Sequence, residues 1–356
     1  KQCYGGDVGL FRSKPAPAFG VSEVKASAGA AGRPGTFSSY YVGSSTERAL
    51  SLPTISRAVG LITSTIASLD LRTYTLQWDG ERYEKQYVVG ESWMTRPDPN
   101  TTRQFVVSNT VKDLMLTGRA FWYITSRYST GFPASFMWLP AHQVDTPNQP
   151  GPEWFGEASE INFNGVEIDV NNVVQFLSPL DGMMWTGARA IDISYRLDES
   201  AKRFASNEIA AGYLQQTEGE PLSGEELSEL AAAWSQARKN SAIGALNQHV
   251  RWETFNSDPS DLQLMQAREY ASLELARIMQ VPPWLVGVAV GSMTYQNAQQ
   301  ARQDLLTFGA SPFLTCIAET LSSDKIVAKG KHIEFNTDAY LETADIITET
   351  RTEETL

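Results

Sequence analysis

The sequence has few of the side chains that hold metals or act as nucleophiles. It contains 2 cysteines and 3 histidines in 356 residues. Cys3 and Cys316 stand near opposite ends without the spacing of a metal or redox motif, so we expect free thiols in a reducing compartment. The histidines, at positions 142, 249 and 332, are scattered with no second ligand at metal spacing. Neither a metal nor a cofactor is expected.

Catalytic motifs are missing as well. The sequence has neither G-x-S-x-G nor G-x-G-x-x-G, and Gly330-Lys331 lacks the upstream glycine of a phosphate-binding loop. Glu225, Glu226 and Glu229 fall on one short predicted helix, which favours a solvated or partner-facing surface over a glycosidase pair. An acidic carbohydrate-active enzyme remains an alternative, because a sequence does not show which carboxylates meet across a cleft. We expect a protein that is not an enzyme.

Long hydrophobic runs and an excess of positive charge are also absent. No apolar stretch approaches the roughly 20 residues that cross a bilayer, so no membrane span is expected. Lys and Arg number 29 against 41 Asp and Glu, a formal net charge of −12. Tight DNA binding relies on Lys and Arg at the phosphates, and this composition argues against it. An acidic wall past which DNA slides is compatible with the same composition.

Patterns in the first half predict a mixed α+β fold. Residues 1–45 are rich in Gly, Ala, Ser and Pro, as in an arm or linker. The predicted elements that follow are a helix over Glu47–Leu69, a hairpin around Asp79-Gly80, a helix capped by Asn100 or Thr101 and ending at Gly118, and short strands over 120–177. Aromatic residues are dense among these strands. They indicate a core and subunit interface more than a base-stacking platform, because Lys and Arg are sparse beside them.

The second half is dominated by long helices. Its predicted elements are a helix over 188–212, an inserted excursion over 213–257, a helix over 258–280, a loop over 281–296, a helix over 297–321 kinked at Pro312, and a strand over Lys331–Thr337. The excursion contains a helix over Ser223–Arg238, which begins with the capping-box pattern of Ser223 and Glu226. The helix over 188–212 would span about 37 Å. It has a narrow apolar stripe and acid-before-base pairs four residues apart. The stripe is Ile193, Leu197, Ala201 and Phe204, and the pairs are Asp192/Arg196, Asp198/Lys202 and Glu199/Arg203.

Several short motifs, in this order, resemble phage portal proteins of the HK97-like family. They are Glu47–Leu50, Arg96–Thr101, Leu116–Ala120, Val174–Leu177 with Asp181-Gly182 and Gly187, Gln280–Gly287, and Tyr295–Gln300. The resemblance covers roughly residues 45 to 340 and depends on the agreement of these motifs. Three positions depart from the family pattern. Ala188-Arg189 replaces Ser-Pro, Gln280 replaces Gly, and Gln296 replaces Ser.

The resemblance implies a portal fold assembled as a ring. It divides the chain into an N-terminal arm (1–45), a wing (46–187), stem helix 1 (188–212), a clip (213–257), stem helix 2 (258–280), a tunnel loop (281–296), the kinked helix and closing strand of the wing (297–343), and the start of a mostly absent helical crown (344–356). The chain begins with Lys, and its last residues read as a helix cut short, so we expect it to continue beyond both ends.

Roles for particular residues follow from the resemblance alone. It implies tunnel-loop contacts with DNA by Val288, Val290, Ser292, Met293 and Tyr295, a clip docking surface at Glu225, Glu226 and Glu229, and pairing between stems through Asp198, Glu199, Lys202 and Arg203. The implied partners are further copies in a ring, expected to be a dodecamer, the major capsid protein, the terminase large subunit, a head–tail adaptor, and double-stranded DNA that passes without sequence specificity. The implied location is one capsid vertex of the virion, and the bacterial host cytoplasm during assembly. Another phage connector or a tail-tube protein is the nearer alternative.

Overall fold

The first helices pack their apolar faces into the largest core. The computed structural model describes residues 44–151, 154–205, 212–216, 223–239, 250–254, 263–288, 302–338 and 340, all within the compact unit Gly35–Leu356. Helix α1 spans Ser44–Ser51 and α2 spans Pro53–Ser68. The single helix predicted over this region is interrupted because Leu52, which precedes a proline, is extended with ψ 121°. The predicted periodicity of α2 is confirmed by its buried face of Ile55, Val59, Ile62 and Ile66.

The predicted hairpin is present and belongs to a three-stranded sheet. Strands β1 (Leu71–Trp78) and β2 (Tyr83–Val88) are antiparallel. The Asp79 carboxylate accepts the backbone N–H groups of Glu81 and Arg82 at 2.7 Å each, and Gly80 has φ 111°. The closing strand, numbered β11 in chain order (Lys331–Phe335), pairs with β1 on the side opposite β2.

Helix α3 (Arg103–Thr117) begins one or two residues later than predicted. Its N-cap is Thr102, whose hydroxyl accepts the Phe105 N–H at 3.2 Å. Asn100 and Thr101 instead donate to the carboxylate of Asp98, at 2.8 and 3.0 Å, within the preceding turn. The C-terminal end agrees with the prediction, since Gly118 adopts φ 79° and closes the helix.

The aromatic region is a core, as predicted. Its strands are β3 (Arg119–Arg127), β4 (Pro133–Leu139), β5 (Val144–Asp145), β6 (Ile161–Phe163), β7 (Val166–Ile168) and β8 (Val173–Leu177). They form two sheets, ordered β4-β3-β8 and β5-β6-β7. Successive residues of β3 serve two cores because strand side chains alternate. Trp122 packs with Phe136 and Phe176 under the helices, whereas Phe121 packs with Ile161 toward the small sheet.

Two longer helices bracket a small excursion. After α4 (Met183–Thr186), helix α5 covers Ala188–Ala205. Strands β9 (Gly212–Gln216) and β10 (Val250–Thr254) pair antiparallel, with helix α6 (Gly224–Lys239) between them in sequence. Helix α7 spans Leu264–Ile278 and packs on α5. The described part of the first long helix thus ends at Ala205, and Gly212 already belongs to a strand.

The predicted irregularity near Pro312 takes the form of a widened helical turn. Residues 302–304 are helical, Leu305–Ala310 form a π-helical segment, and α8 runs from Ser311 to Leu321. Proline has no N–H and its ring clashes with the carbonyl four residues earlier, so the chain widens immediately before it. The buried side chains of α8 include Phe313 and Ile317, which join the main core.

Candidate functional site

The helices α5 and α7 are joined by an ion pair. Arg268 of α7 donates through Nε and Nη2 to Oδ1 of Asp198 on α5, both at 2.9 Å. The two side chains are 44% and 38% exposed, so water screens the pair. It links the two helices on either side of the excursion.

Asp198 therefore pairs across the helices and not with Lys202, the partner indicated by sequence spacing. The predicted pair Asp192–Arg196 is present at 2.8 Å. Lys202 lies 3.9 Å from Glu199, three residues back on the same helix. Arg203 is exposed. Whether Asp198, Glu199, Lys202 and Arg203 also meet a neighbouring subunit stays a prediction.

The helix pair keeps apolar side chains on its outside. On α5 the buried positions are Ile191 and Ser194, whereas Ile193, predicted to lie in the apolar stripe, is 40% exposed. On α7 the inward residues Ala271 and Leu275 are buried, but Met265 and Tyr270 are 75% and 57% exposed. Leu197 and Ala201 are partly buried, and the side chain of Phe204 lies outside the described residues.

Helix α6 presents the acidic cluster predicted as a docking surface. Glu225, Glu226 and Glu229 are all exposed. Glu226 has a structural role, since its carboxylate accepts the backbone N–H and the hydroxyl of Ser223 at 2.8 and 2.9 Å. These hydrogen bonds lower the pKa of Glu226 and complete the capping box that the sequence predicts. Leu227, 46% exposed, lies on the same helix, so α6 offers both charge and apolar surface.

The segment after α7 positions the start of the predicted tunnel loop. Gln280 adopts φ 54°, and the chain then forms a short 3₁₀ turn over Pro283–Val286. Arg57 donates from Nε to the carbonyl of Leu285 at 3.4 Å, which ties this turn to α2. Val288 donates its backbone N–H to the carbonyl of Pro283 at 3.0 Å, and its side chain is 8% exposed.

The second half of the loop, residues 289–296, lies outside the described residues. This applies to Val290, Ser292, Met293 and Tyr295. Val288 is buried within the single chain. The loop contacts with DNA remain predictions.

Reactive chemistry is not evident in the part of the chain that the structure describes. No group of three or more His, Cys, Asp or Glu side chains there could hold a metal ion. Burial raises the pKa of Cys316 to about 11, which suppresses its thiolate. Among the helices of these ranges, none combines the length and apolarity needed to cross a bilayer.

One buried carboxyl was not predicted from the sequence. Asp113, 6% exposed, accepts hydrogen bonds at Oδ2 from Trp138 Nε1 at 2.9 Å and from the Ala141 N–H at 3.1 Å. Desolvation raises the pKa of Asp113 to about 7 despite these bonds. No local pattern marks such a residue, because its partners lie 25 and 28 positions away.

The fold is similar to that of phage portal and particle-neck chains whose structures have been solved. The crystal structure of an HK97 family phage portal protein from Corynebacterium diphtheriae superposes with a TM-score of 0.67 at 23% identity, covering 83% of this chain and 97% of that one. A chain in the neck of a native gene transfer agent particle, computed with C12 symmetry, superposes with a TM-score of 0.58 at 19% identity, covering 84% of each chain. At these identities the likeness establishes the fold.

Sequence comparison identifies the family. A family model described as phage portal protein matches residues 53–353, and the chain belongs to that family. The probable portal protein of Streptomyces phage phiC31 is 24% identical over 293 residues, covering 75% of this chain and 62% of that protein. An uncharacterised protein of Rickettsia felis is 32% identical over 112 residues, covering 32% of this chain and 28% of that protein. The chain thus spans less than two thirds of the length of these relatives.

Proposed function

We propose that this protein is the subunit of a portal ring, a channel component that catalyses no reaction itself. The observation that carries the proposal is the match to the portal family over most of the chain, together with the fold of an HK97 family portal. The ring would line the passage through which double-stranded DNA is packaged and ejected, without sequence specificity. A net charge of −12 suits a wall that must not grip DNA.

We assign each region of the fold to one part of the portal subunit. The body over 46–187, with 297–343, would be the wing, α5 and α7 the two stem helices, and the excursion with β9, α6 and β10 the clip. Residues 281–296 would be the tunnel loop and 344–356 the start of a crown. The outward apolar side chains Ile193, Met265 and Tyr270 support stem packing, because a ring places another subunit against each stem.

The clip would dock two partners in succession. Glu225 and Glu229, exposed on α6, would meet the terminase large subunit during packaging and the head–tail adaptor afterwards. The wing would meet the major capsid protein at one vertex of the virion, after assembly in the bacterial cytoplasm. A dodecamer is the proposed state, in keeping with the C12 symmetry in which the neck of the gene transfer agent was computed. Neither a tail-tube protein nor an acidic carbohydrate-active enzyme is favoured by the family match.

Negative-stain images of the purified protein test this proposal. Rings of about a dozen subunits around a central hole are the expected result, since closed cyclic assembly is what the function requires. Mass photometry of the same sample gives the subunit number. A protein that stays monomeric at all concentrations, including in the presence of capsid protein, would refute the proposal.

A further inference from the structure

The hairpin of β1 and β2 exposes a row of aromatic side chains. The register pairs Tyr74 with Tyr87 and Trp78 with Tyr83, which places these four residues on the same side of the sheet. The rings of Trp78 and Tyr83 meet edge to face with centroids 5.0 Å apart. Trp78, Tyr83 and Tyr87 are 58%, 66% and 53% exposed, and Leu76 between them is 45% exposed. We refer to Tyr74, Leu76, Trp78, Tyr83 and Tyr87 as the aromatic face.

This surface is unusual for the outside of a single chain. Tyr and Trp are enriched at the centres of protein interfaces, where they bury a large area at a small entropic cost. In addition, β2 is an edge strand of its sheet, and all six of its residues are exposed. An exposed edge strand can pair with another chain. Val89, immediately after β2, is 92% exposed and extends the apolar surface.

The charges on this side of the sheet are neutralised internally. Glu334 accepts hydrogen bonds from Arg72 Nε at 2.7 Å, from Lys85 Nζ at 2.5 Å and from the Tyr87 hydroxyl at 3.0 Å. Arg72 also donates to Asp338 at 3.0 Å. The two cations are thus committed to carboxylates, and the surface is poorly suited to a nucleic-acid backbone. Its partner is better sought among proteins.

Charge also favours a second copy of this chain as that partner. The chain carries a net charge of −12, so two copies repel each other over most of their surfaces. On the aromatic face the charges of the cations and the carboxylates cancel, and the exposed area is aromatic. Two acidic copies would therefore meet there with the least electrostatic repulsion. In a ring with head-to-tail contacts, every subunit presents this patch to a different surface of the next subunit, and closure covers all of them.

We infer that the aromatic face is a subunit interface of the ring, covered by the neighbouring copy. The inference rests on the proposed function, since it needs the ring. Beyond the proposed function, it identifies the surface through which part of the wing contacts the neighbouring subunit, with Trp78 and Tyr83 as the central contacts.

The test is a double variant, Trp78→Thr with Tyr83→Thr. Threonine keeps the strand propensity, and both positions are exposed, so the variant should fold with an unchanged circular dichroism spectrum. Mass photometry across a dilution series gives the concentration at which rings dissociate. We expect that concentration to rise at least about tenfold, the effect of removing a small part of a hot spot. The control is Phe155→Thr with Val166→Thr, which removes side chains 86% and 61% exposed elsewhere and should change nothing.

A photo-reactive residue at position 83 provides a second measurement that does not depend on weakening the ring. It should cross-link two copies of the chain, and the same residue at position 155 should not. The inference is overturned if the double variant forms rings with the parent's dilution curve, or if the cross-link joins the chain only to capsid protein. Failure of the parent itself to form rings would instead refute the proposed function, and this inference with it.

Discussion

Arg268 and Asp198 lie 70 positions apart in sequence and meet with two nitrogens on one carboxylate oxygen, both at 2.9 Å. The pair connects α5 to α7 at the base of the excursion that we propose as the clip. The helices α5 and α7 connect the excursion to the rest of the fold. Their relative position therefore determines the position of the excursion. The two side chains are 44% and 38% exposed, so the pair contributes little to stability.

A charge exchange tests this pair. Asp198→Arg alone should place two cations together and lower the free energy of unfolding by about 0.5 to 1 kcal/mol. Adding Arg268→Asp should restore most of that loss, as measured by urea denaturation at low salt. If Asp198 serves mainly a contact between subunits, the double variant will unfold normally as a monomer and still assemble poorly. Full stability and full assembly in the single variant would contradict both roles.

The sequence predicts those structural elements that are stabilised by interactions between residues close together in the chain. Asp79-Gly80 forms its turn through side-chain and backbone bonds within three residues, and Ser223 and Glu226 complete a capping box over the same span. The contact between Asp198 and Arg268 depends on the packing of distant helices, and local spacing wrongly indicated Lys202. Burial of Asp113 has the same origin. Ile193 shows the limit of periodicity, since a helix stripe does not tell which side meets the core.

Close backbone contact explains why the Asp181-Gly182 motif has glycine at position 182. A Cβ at this position would lie 2.7 Å from Thr117 Cα and 2.8 Å from the Gly118 nitrogen, closer than backbone atoms allow. We expect Gly182→Ala to lower the free energy of unfolding by about 2 kcal/mol or more, because both neighbours are backbone. Gly224→Ala is the matched control, since its Cβ would meet nothing within 4 Å. Equal denaturation midpoints for the two variants would contradict this account.

Gln280 occupies a position where the family resemblance places glycine. Its φ of 54° is in the left-handed region, which costs a residue with a Cβ about 1 kcal/mol or more. Gln280→Gly should therefore raise the thermal midpoint slightly, despite the greater freedom of glycine in the unfolded chain. The same substitution at the exposed helical residue Gln303 should lower stability by about 1 kcal/mol. A loss at both sites would show that position 280 is not strained.

Asp113 makes stability depend on pH near neutrality. Its pKa is about 7 in the folded chain against 3.8 ordinarily, so the folded state keeps a proton that the unfolded state releases between these values. The free energy of unfolding should therefore fall as pH rises from 4 toward 7, by up to about 1.4 kcal/mol per pH unit from this group. Asp113→Asn keeps an oxygen for Trp138 and Ala141 and removes the titration. Denaturation at pH 5 and pH 8 should show a smaller difference for the variant, and an unchanged difference would assign the effect to other groups.

The docking role of α6 is best tested without disturbing its N-terminus. Reversing Glu226 would break the capping box with Ser223, and a loss of binding could then reflect a damaged helix. The test variant, Glu225→Lys with Glu229→Lys, leaves the capping box intact. The control, Glu160→Lys with Glu167→Lys, changes the net charge by the same amount at exposed positions of the body. Binding of purified rings to the terminase large subunit and to the adaptor should weaken at least about tenfold for the α6 variant, because reversal turns attraction at the interface into repulsion. The control should bind as the parent does. Unchanged affinity of the α6 variant for both partners would move the docking surface off these glutamates, and equal weakening in both variants would attribute binding to net charge alone.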